Sequence, residues 1–262
     1  MKKTVTTKAG KSAKKPTRRL KYRRVLLKLS GEALGNHETG ECLDVAHLAF
    51  MAGRIRALVS LGVEVGVVLG GGNIFRGLAG SGRGVDRVTG DTMGMLATVI
   101  NGLAMANALA AEGVEARVMT AVEMPKVADL FVASKARRHL SKGRVVICAG
   151  GTGNPFFSTD SAAALRANEL GAEALLKATT VDGVYTADPK KDPKAQRYET
   201  LAYTTALEKR LRVMDSAAFA LCMDNAIPIV VFDFFDGQAI EKVVTGGRVG
   251  TVVTEGPTTL AK

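Results

Sequence analysis

Apolar runs and helical repeats alternate along the chain from residue 24 onward. Arg24–Leu29 (RVLLKL) reads as a buried strand. In Asp44–Ser60 apolar residues recur at helical spacing, Val45, Leu48, Ile55 and Leu58 among them, with Asp44 placed as N-cap. Val63–Leu69 (VEVGVVL) reads as a second strand, ending at Gly70-Gly71-Gly72. Asp91–Glu112, rich in Ala, Met and Leu, reads as a long helix. Ala116–Thr120 and Arg144–Ala149 (RVVICA) follow as strands, Ser161–Leu170 as a helix and Glu173–Val181 (EALLKATTV) as a strand. Ile227–Phe232 and Gly250–Val253 complete the strands. Near-continuous apolar strands alternating with helices predict a parallel sheet covered on both faces. The expected fold class is α/β, a single-domain α/β/α sandwich with a mainly parallel central sheet. No internal repeat and no Pro- or Ser-rich linker divides it.

Composition adds exclusions. At 262 residues, with 47% hydrophobic and 23% charged positions, the chain can bury a core without disulfide staples. Tryptophan is absent and aromatics reach 5%, leaving few rings for a lectin-like or base-stacking surface. Cys42, Cys148 and Cys222 form no metal or redox spacing and point to a reduced, cytoplasmic setting. No apolar run approaches the length of a membrane span, so no membrane partner is expected.

The net charge of +11 changes meaning once it is located. Residues 1–24 hold eleven Lys or Arg and no acid, leaving 25 basic and 25 acidic residues in 25–262. Residues 1–22 therefore read as a disordered basic tail, 23–256 as the folded domain and 257–262 as a C-terminal tail. The basic tail has no apolar segment of a secretory signal, and a transit peptide would usually be richer in Arg and Ser. It is the one route to nucleic acid, through nonspecific contact.

In parallel sheets ligands bind at the carboxyl ends of the strands. Four turns expected there are rich in glycine, hydroxyls, cations and Asp: Lys28-Leu29-Ser30-Gly31, Gly70 to Gly77, Gly150 to Asp160, and Asp182 to Pro189. Consecutive glycines let backbone N–H groups approach an anion, and a following helix adds positive potential. A lone glycine cluster is ordinarily a tight turn. Two clusters at equivalent strand ends, beside cations and hydroxyls, point to two phosphate sites. Neither a P-loop nor a dinucleotide fingerprint is present.

Lys28, in an otherwise apolar strand, can neutralise a transferring phosphoryl group. Arg76, four residues past a glycine turn, can grip phosphate with its planar fork, or lie solvated at the surface. Asp160 opens a helix, where N-capping is the ordinary role, and it can do both jobs, capping while orienting a lysine or Mg²⁺. Asp182 and Asp188 are turn-forming types, and Tyr185 between them can stack on a base. Met93, Met95, Met105 and Met119 read as core filling. His37, His47 and His139 have no ligand spacing, and no Ser-His-Asp triad is supported.

Taken together, KLSGEAL, GGGNIFRG, GDTMGMLATVINGLA, GTGNPFFSTDSAA, KATTVDGVYTADP and VMDSAAF resemble the bacterial UMP kinases (uridylate kinases), a family of the amino-acid-kinase superfamily. The resemblance covers about residues 22–255. It implies transfer of the ATP γ-phosphoryl group to UMP, giving UDP and ADP in pyrimidine nucleotide biosynthesis. It also implies Mg²⁺ with ATP, direct in-line transfer, a cytoplasmic homohexamer and UTP as inhibitor. Carried over by motif, Lys28, Leu29, Ser30, Gly31, Gly72 and Arg76 meet the ATP phosphates. Thr179, Tyr185 and Asp188 form the adenine-nucleotide side. Gly71 contacts UMP, Asp91 holds its ribose, and Thr152, Gly153, Asn154, Pro155, Phe156, Phe157, Ser158 and Thr159 wrap it. Lys28, Arg76 and Asp160 are the catalytic set, with Asp160 orienting Lys28, and no side chain is assigned as a metal ligand.

Two departures argue against activation by GTP. Gly35 to Cys42 is longer and less glycine-rich than the family's segment, and Ala106 to Ala110 lacks the usual Arg and His. Rival readings are a superfamily kinase acting on a carboxylate or carbamate, a noncatalytic nucleotide-binding protein, and an RNA-binding protein resting on the tail alone. The acceptor-loop sequence GTGNPFFSTD and the retention of both Lys28 and Asp160 favour the kinase of UMP.

Overall fold

The computed structural model describes residues 19–36, 38–75, 84–189, 191–211 and 213–261. Most of the basic tail, His37 and Arg76 lie outside the described residues. In chain order the elements are β1 (Arg24–Leu29), α1 (Val45–Ser60), β2 (Glu64–Leu69), α2 (Arg87–Ala111), β3 (Ala116–Thr120), β4 (Asp129–Leu130), α3 (Ala133–Leu140), β5 (Val145–Ala149) and α4 (Thr159–Leu170). There follow β6 (Ala174–Thr179), β7 (Tyr198–Ala202), α5 (Tyr203–Glu208), α6 (Ser216–Asp224), β8 (Ile229–Asp233), α7 (Ala239–Thr245), β9 (Thr251–Thr254) and β10 (Thr259–Leu260).

Among the described residues, all the strands join one sheet in the order β10-β7-β9-β8-β6-β1-β2-β5-β3-β4. The pairs β8–β9 and β7–β10 are antiparallel, and the rest are parallel. The strands preceding the four glycine- or Asp-rich turns, β6, β1, β2 and β5, are consecutive neighbours in that order. Being parallel, they deliver all four turns to one edge of the sheet.

The alternation of β1 divides the core. Val25, Leu27 and Leu29 pack with α1, α2 and α7 on one face, while Leu26 packs with α3, α4 and α6 on the other. Helix α4 meets the sheet through Ala162, Ala163, Ala164 and Ala167, all buried, so its axis lies close to the strands. Asp44 caps α1 as its sequence position predicts, accepting from the His47 N–H at 2.9 Å. At the start of the described chain the N–H groups of Lys21 and Tyr22 both reach the Val244 carbonyl, and Tyr22 is buried.

Several expectations need correction. Val45 is 81% exposed, because the first residue of α1 points away from the sheet that buries Leu48, Ile55 and Leu58. Helix α2 begins at Arg87, capped by Asp86, so Asp91 lies inside it. Met105 and Met119 are core residues, but Met93 is exposed and Met95 is half-buried. By length and composition alone, α2 is apolar enough to cross a membrane, contrary to the search for apolar runs. It instead packs on the sheet through Ala97, Val99, Met105 and Leu109.

Candidate active site

Strand alternation puts Lys28 on the α4 side of β1, beyond Leu26. Its register partner on β6 is Lys177, which shares its face with Leu175. Lys28 is the last residue on that face of β1, and Lys177 is followed on its face of β6 only by Thr179. Asp160, near the start of α4, closes on both: Lys28 Nζ lies 2.9 Å from Oδ1 and Lys177 Nζ 2.8 Å from Oδ2. Lys177 also donates to the Val213 carbonyl at 2.6 Å.

Burial would raise the Asp160 carboxyl, but the ammonium groups of Lys28 and Lys177, and their hydrogen bonds, outweigh it and hold the group below its usual range. For Lys177 burial dominates and lowers the amine, Asp160 pulls the other way, and Lys28 adds to the fall. Two cations share the Asp160 carboxylate at the sheet edge, where they can meet a phosphate anion, with Asp215 near enough to support the charge on Lys177.

Asp160 is not the cap of its helix. Ser158 is, its Oγ accepting from the N–H groups of Asp160 at 2.9 Å and Ser161 at 3.3 Å. The carboxylate of Asp160 is thus turned to the lysines. The Ser158 hydroxyl in turn donates to Asp215, as does Ser161 Oγ at 3.0 Å. Asp215 caps α6 through the Ala218 N–H at 2.8 Å. One acid therefore ties the start of α4 to the start of α6.

The glycine turns depend on a polar face of α2. Asn101, fully buried, donates to the Gly70 carbonyl at 2.7 Å. One turn earlier, Thr98 Oγ1 accepts from the Gly150 N–H at 2.8 Å. The turns also need their missing side chains. A Cβ on Gly31 would stand 2.5 Å from the Gly70 carbonyl oxygen, and one on Gly71 would stand 2.7 Å from that of Gly94. Gly150, Gly151 and Gly153 have positive φ.

Two cavities flank the cluster. The larger, about 700 Å³, is lined by Lys28, Leu29, Ser30, Lys177, Thr179 and Phe235 among others. The smaller, about 150 Å³, is lined by Gly71, Gly72, Asp91, Phe157, Ser158 and Thr159 among others. Thr159 faces the smaller cavity while its neighbour Asp160 grips two lysines lining the larger, so the cluster stands at their junction. Thr152, Gly153, Asn154, Pro155 and Phe156 continue the loop that leads to the smaller cavity.

Lys28, Leu29, Ser30, Thr179, Gly71, Gly72, Asp91, Phe157, Ser158 and Thr159, half of the sequence-selected residues, line these cavities. Gly31 packs between them against Gly70. Tyr185 and Asp188 do not line the larger cavity. They lie on the turn after β6, where Tyr185 donates to Asp182 at 2.7 Å. Arg76 falls outside the described residues. Sequence reasoning missed Lys177, Asp215, Thr98 and Asn101. Each carries a faint signal, as a polar side chain in an apolar strand or helix or an Asp before a helical run. Among the described residues, no group of His, Cys, Asp or Glu converges as a metal-chelating set.

Comparisons with known proteins identify the family. Residues 23–233 match the model of the amino acid kinase family. A uridylate kinase of Sinorhizobium medicae is 56% identical over 234 residues, covering 89% of this chain and 97% of the relative. One from Legionella pneumophila is 55% identical over 236 residues, covering 90% of this chain and 95% of the relative. The crystal structure of UMP kinase from Bacillus anthracis superposes with a TM-score of 0.89 at 39% identity, covering 92% of this chain and 99% of that one. On this sequence, fold and site geometry, the chain belongs to the amino acid kinase family and, within it, to the uridylate kinases.

Proposed function

We propose that this chain transfers the γ-phosphoryl group of ATP to UMP, giving ADP and UDP for pyrimidine nucleotide synthesis. The observation that carries the reading is the Lys28–Asp160–Lys177 cluster between two cavities, the larger lined by both lysines and the smaller by Gly71, Gly72 and Gly151 of the two glycine turns. ATP enters the larger cavity, its phosphates along Lys28 to Gly31 and its nucleoside toward Thr179, with Tyr185 and Asp188 beyond the cavity wall on the turn after β6 and Gly72 on the side of the smaller cavity. UMP enters the smaller, its phosphate at Gly71, its ribose on Asp91 and its remainder within Thr152 to Thr159.

A UMP phosphate oxygen attacks the γ-phosphorus in line, the bond to the β,γ-bridging oxygen breaks, and ADP leaves. No covalent enzyme intermediate forms. The protein contributes alignment and charge: both lysines and the glycine-turn amides neutralise the transferring group, while Asp160 keeps the lysines in place. Mg²⁺ held by the ATP phosphates would supply further neutralisation of the transferring group.

A homohexamer is the expected assembly, and Met93, Leu96, Ile100 and Leu103 on α2 form an exposed apolar stripe at helical spacing that a subunit interface would cover. The buried free thiols of Cys148 and Cys222 suit a reducing cytoplasm. UTP is the expected inhibitor, and GTP is not expected to activate. The basic tail adds at most a nonspecific anionic contact.

The test is ADP release from ATP and Mg²⁺ with UMP, CMP, dTMP, N-acetylglutamate or glutamate supplied separately. Strong preference for UMP is the expected outcome. Turnover with an amino-acid acceptor, or none with any acceptor from folded protein, contradicts it.

A further inference from the structure

Arg87, the first residue of α2, is placed against the usual logic of helix charges. A cation in the first turn opposes the helix dipole, and Arg preceding Asp by four residues is the weaker order for an ion pair. Its surroundings give another reason for it. Arg87 Nε donates to Asp91 Oδ2 at 2.7 Å. The same Oδ2 accepts the Phe156 N–H at 2.7 Å. The guanidinium also lies over the Phe156 ring, 5.5 Å from its centre. Phe156 has φ +70°, a left-handed conformation that bulky side chains rarely adopt.

These contacts form a closed triangle whose Asp91 corner lines the smaller cavity. Both bonds fall on one oxygen of Asp91, orienting the carboxylate so that Oδ1 remains for another partner. The third side holds the aromatic ring whose backbone N–H makes the second bond. Asp91 would otherwise set a bare negative charge beside an anionic acceptor.

We propose that Arg87 is a positioning residue for the acceptor nucleotide, acting through Asp91 and Phe156. It fixes the carboxylate that meets the ribose hydroxyl, offsets its charge near the acceptor phosphate, and pins the strained start of the Phe156-Phe157 segment. This rests on the reading of Asp91 given above. Arg87 is 40% exposed, and exposed ion pairs contribute little to stability, so its effect falls on binding.

The experiment is a double-mutant cycle of Arg87→Met and Asp91→Asn in the full chain, with Arg87→Lys as the conservative variant. Steady-state kinetics are measured against UMP and against ATP, with melting temperatures alongside. Arg87→Met should raise the UMP KM roughly 10-fold, the scale of one lost charge-assisted hydrogen bond. The ATP KM should change less than about 2-fold and Tm by less than about 3 °C. Arg87→Lys should recover part of the loss, and Arg87→Met should add little in the Asp91→Asn background. An unchanged UMP KM in Arg87→Met, or an equal effect with and without the Asp91 carboxylate, overturns the proposal. If Asp91→Asn leaves the UMP KM unchanged, the reading of Asp91 fails and this inference falls with it. If Asp91→Asn raises it and Arg87→Met does not, only the inference fails.

Discussion

Lys28 and Lys177 stand opposite each other on adjacent parallel strands, and both reach the same carboxylate. The register of β1 on β6 brings the lysines level. The small side chains under α4 then let Asp160 descend onto them. Neutralising either lysine leaves the other paired, whereas neutralising Asp160 leaves two crowded cations.

Asp160→Asn should therefore destabilise the fold by about 3 kcal/mol near neutral pH, the scale of a broken buried pair. Urea unfolding of wild type and variant checks this. The pH dependence gives the sign independently. The carboxyl is held below the ordinary carboxylate value, so its contribution is complete above that value and is lost as pH falls through the lower folded value. Wild type should lose stability across that acidic window more steeply than Asp160→Asn.

The same cluster sets an alkaline limit. Burial lowers the Lys177 ammonium below the ordinary lysine value of 10.5, so it should lose its proton at a lower pH than an exposed lysine. The kcat/KM for ATP should fall on an alkaline limb beginning below that value. Asp160 is the group pulling this ammonium back up. In Asp160→Asn, whatever activity remains should show the limb at still lower pH.

Legibility of the chain followed burial. Strands β1, β2, β5 and β6 could be read within about two residues because both faces are covered and the sequence is continuously apolar. Edge strands β4 and β10 are two-residue segments with exposed side chains and left no such trace. Helix α3 escaped notice because, among its cations, only Ala136 and Leu140 are buried. At the site, Lys28 was legible from its glycine neighbours. Lys177 was not, since its role depends on register with a strand far away in sequence. Asp160 invited the capping interpretation, because a helix-opening Asp usually caps. That Ser158 does so instead depends on the turn before it.

Asn101 is a buried polar side chain in an apolar helix, and its bond to Gly70 explains it. Asn101→Leu should cost about 1–3 kcal/mol by leaving the Gly70 carbonyl and the Asn73 amide short of partners. Urea unfolding would measure the loss. Because Gly70 leads into the acceptor turn and packs on Gly31, KM values for both substrates should rise.

Gly31→Ala tests the close approach of the first two turns. Its Cβ would meet the Gly70 oxygen at 2.5 Å and Asn73 Oδ1 at 2.6 Å, and the backbone atom cannot swing aside. A displacement of this kind should weaken binding of a nonhydrolysable ATP analogue by roughly 10-fold or more, read by calorimetry. Wild-type affinity in the variant would mean that the turn tolerates the side chain.

The most direct measurement is the kcat of Lys28→Ala with saturating ATP, Mg²⁺ and UMP. Lys28 is expected to stabilise charge on the transferring phosphoryl group, so kcat should fall by ~10²-fold or more while the protein stays folded. A near-normal kcat would contradict phosphoryl transfer at the Lys28–Asp160–Lys177 cluster.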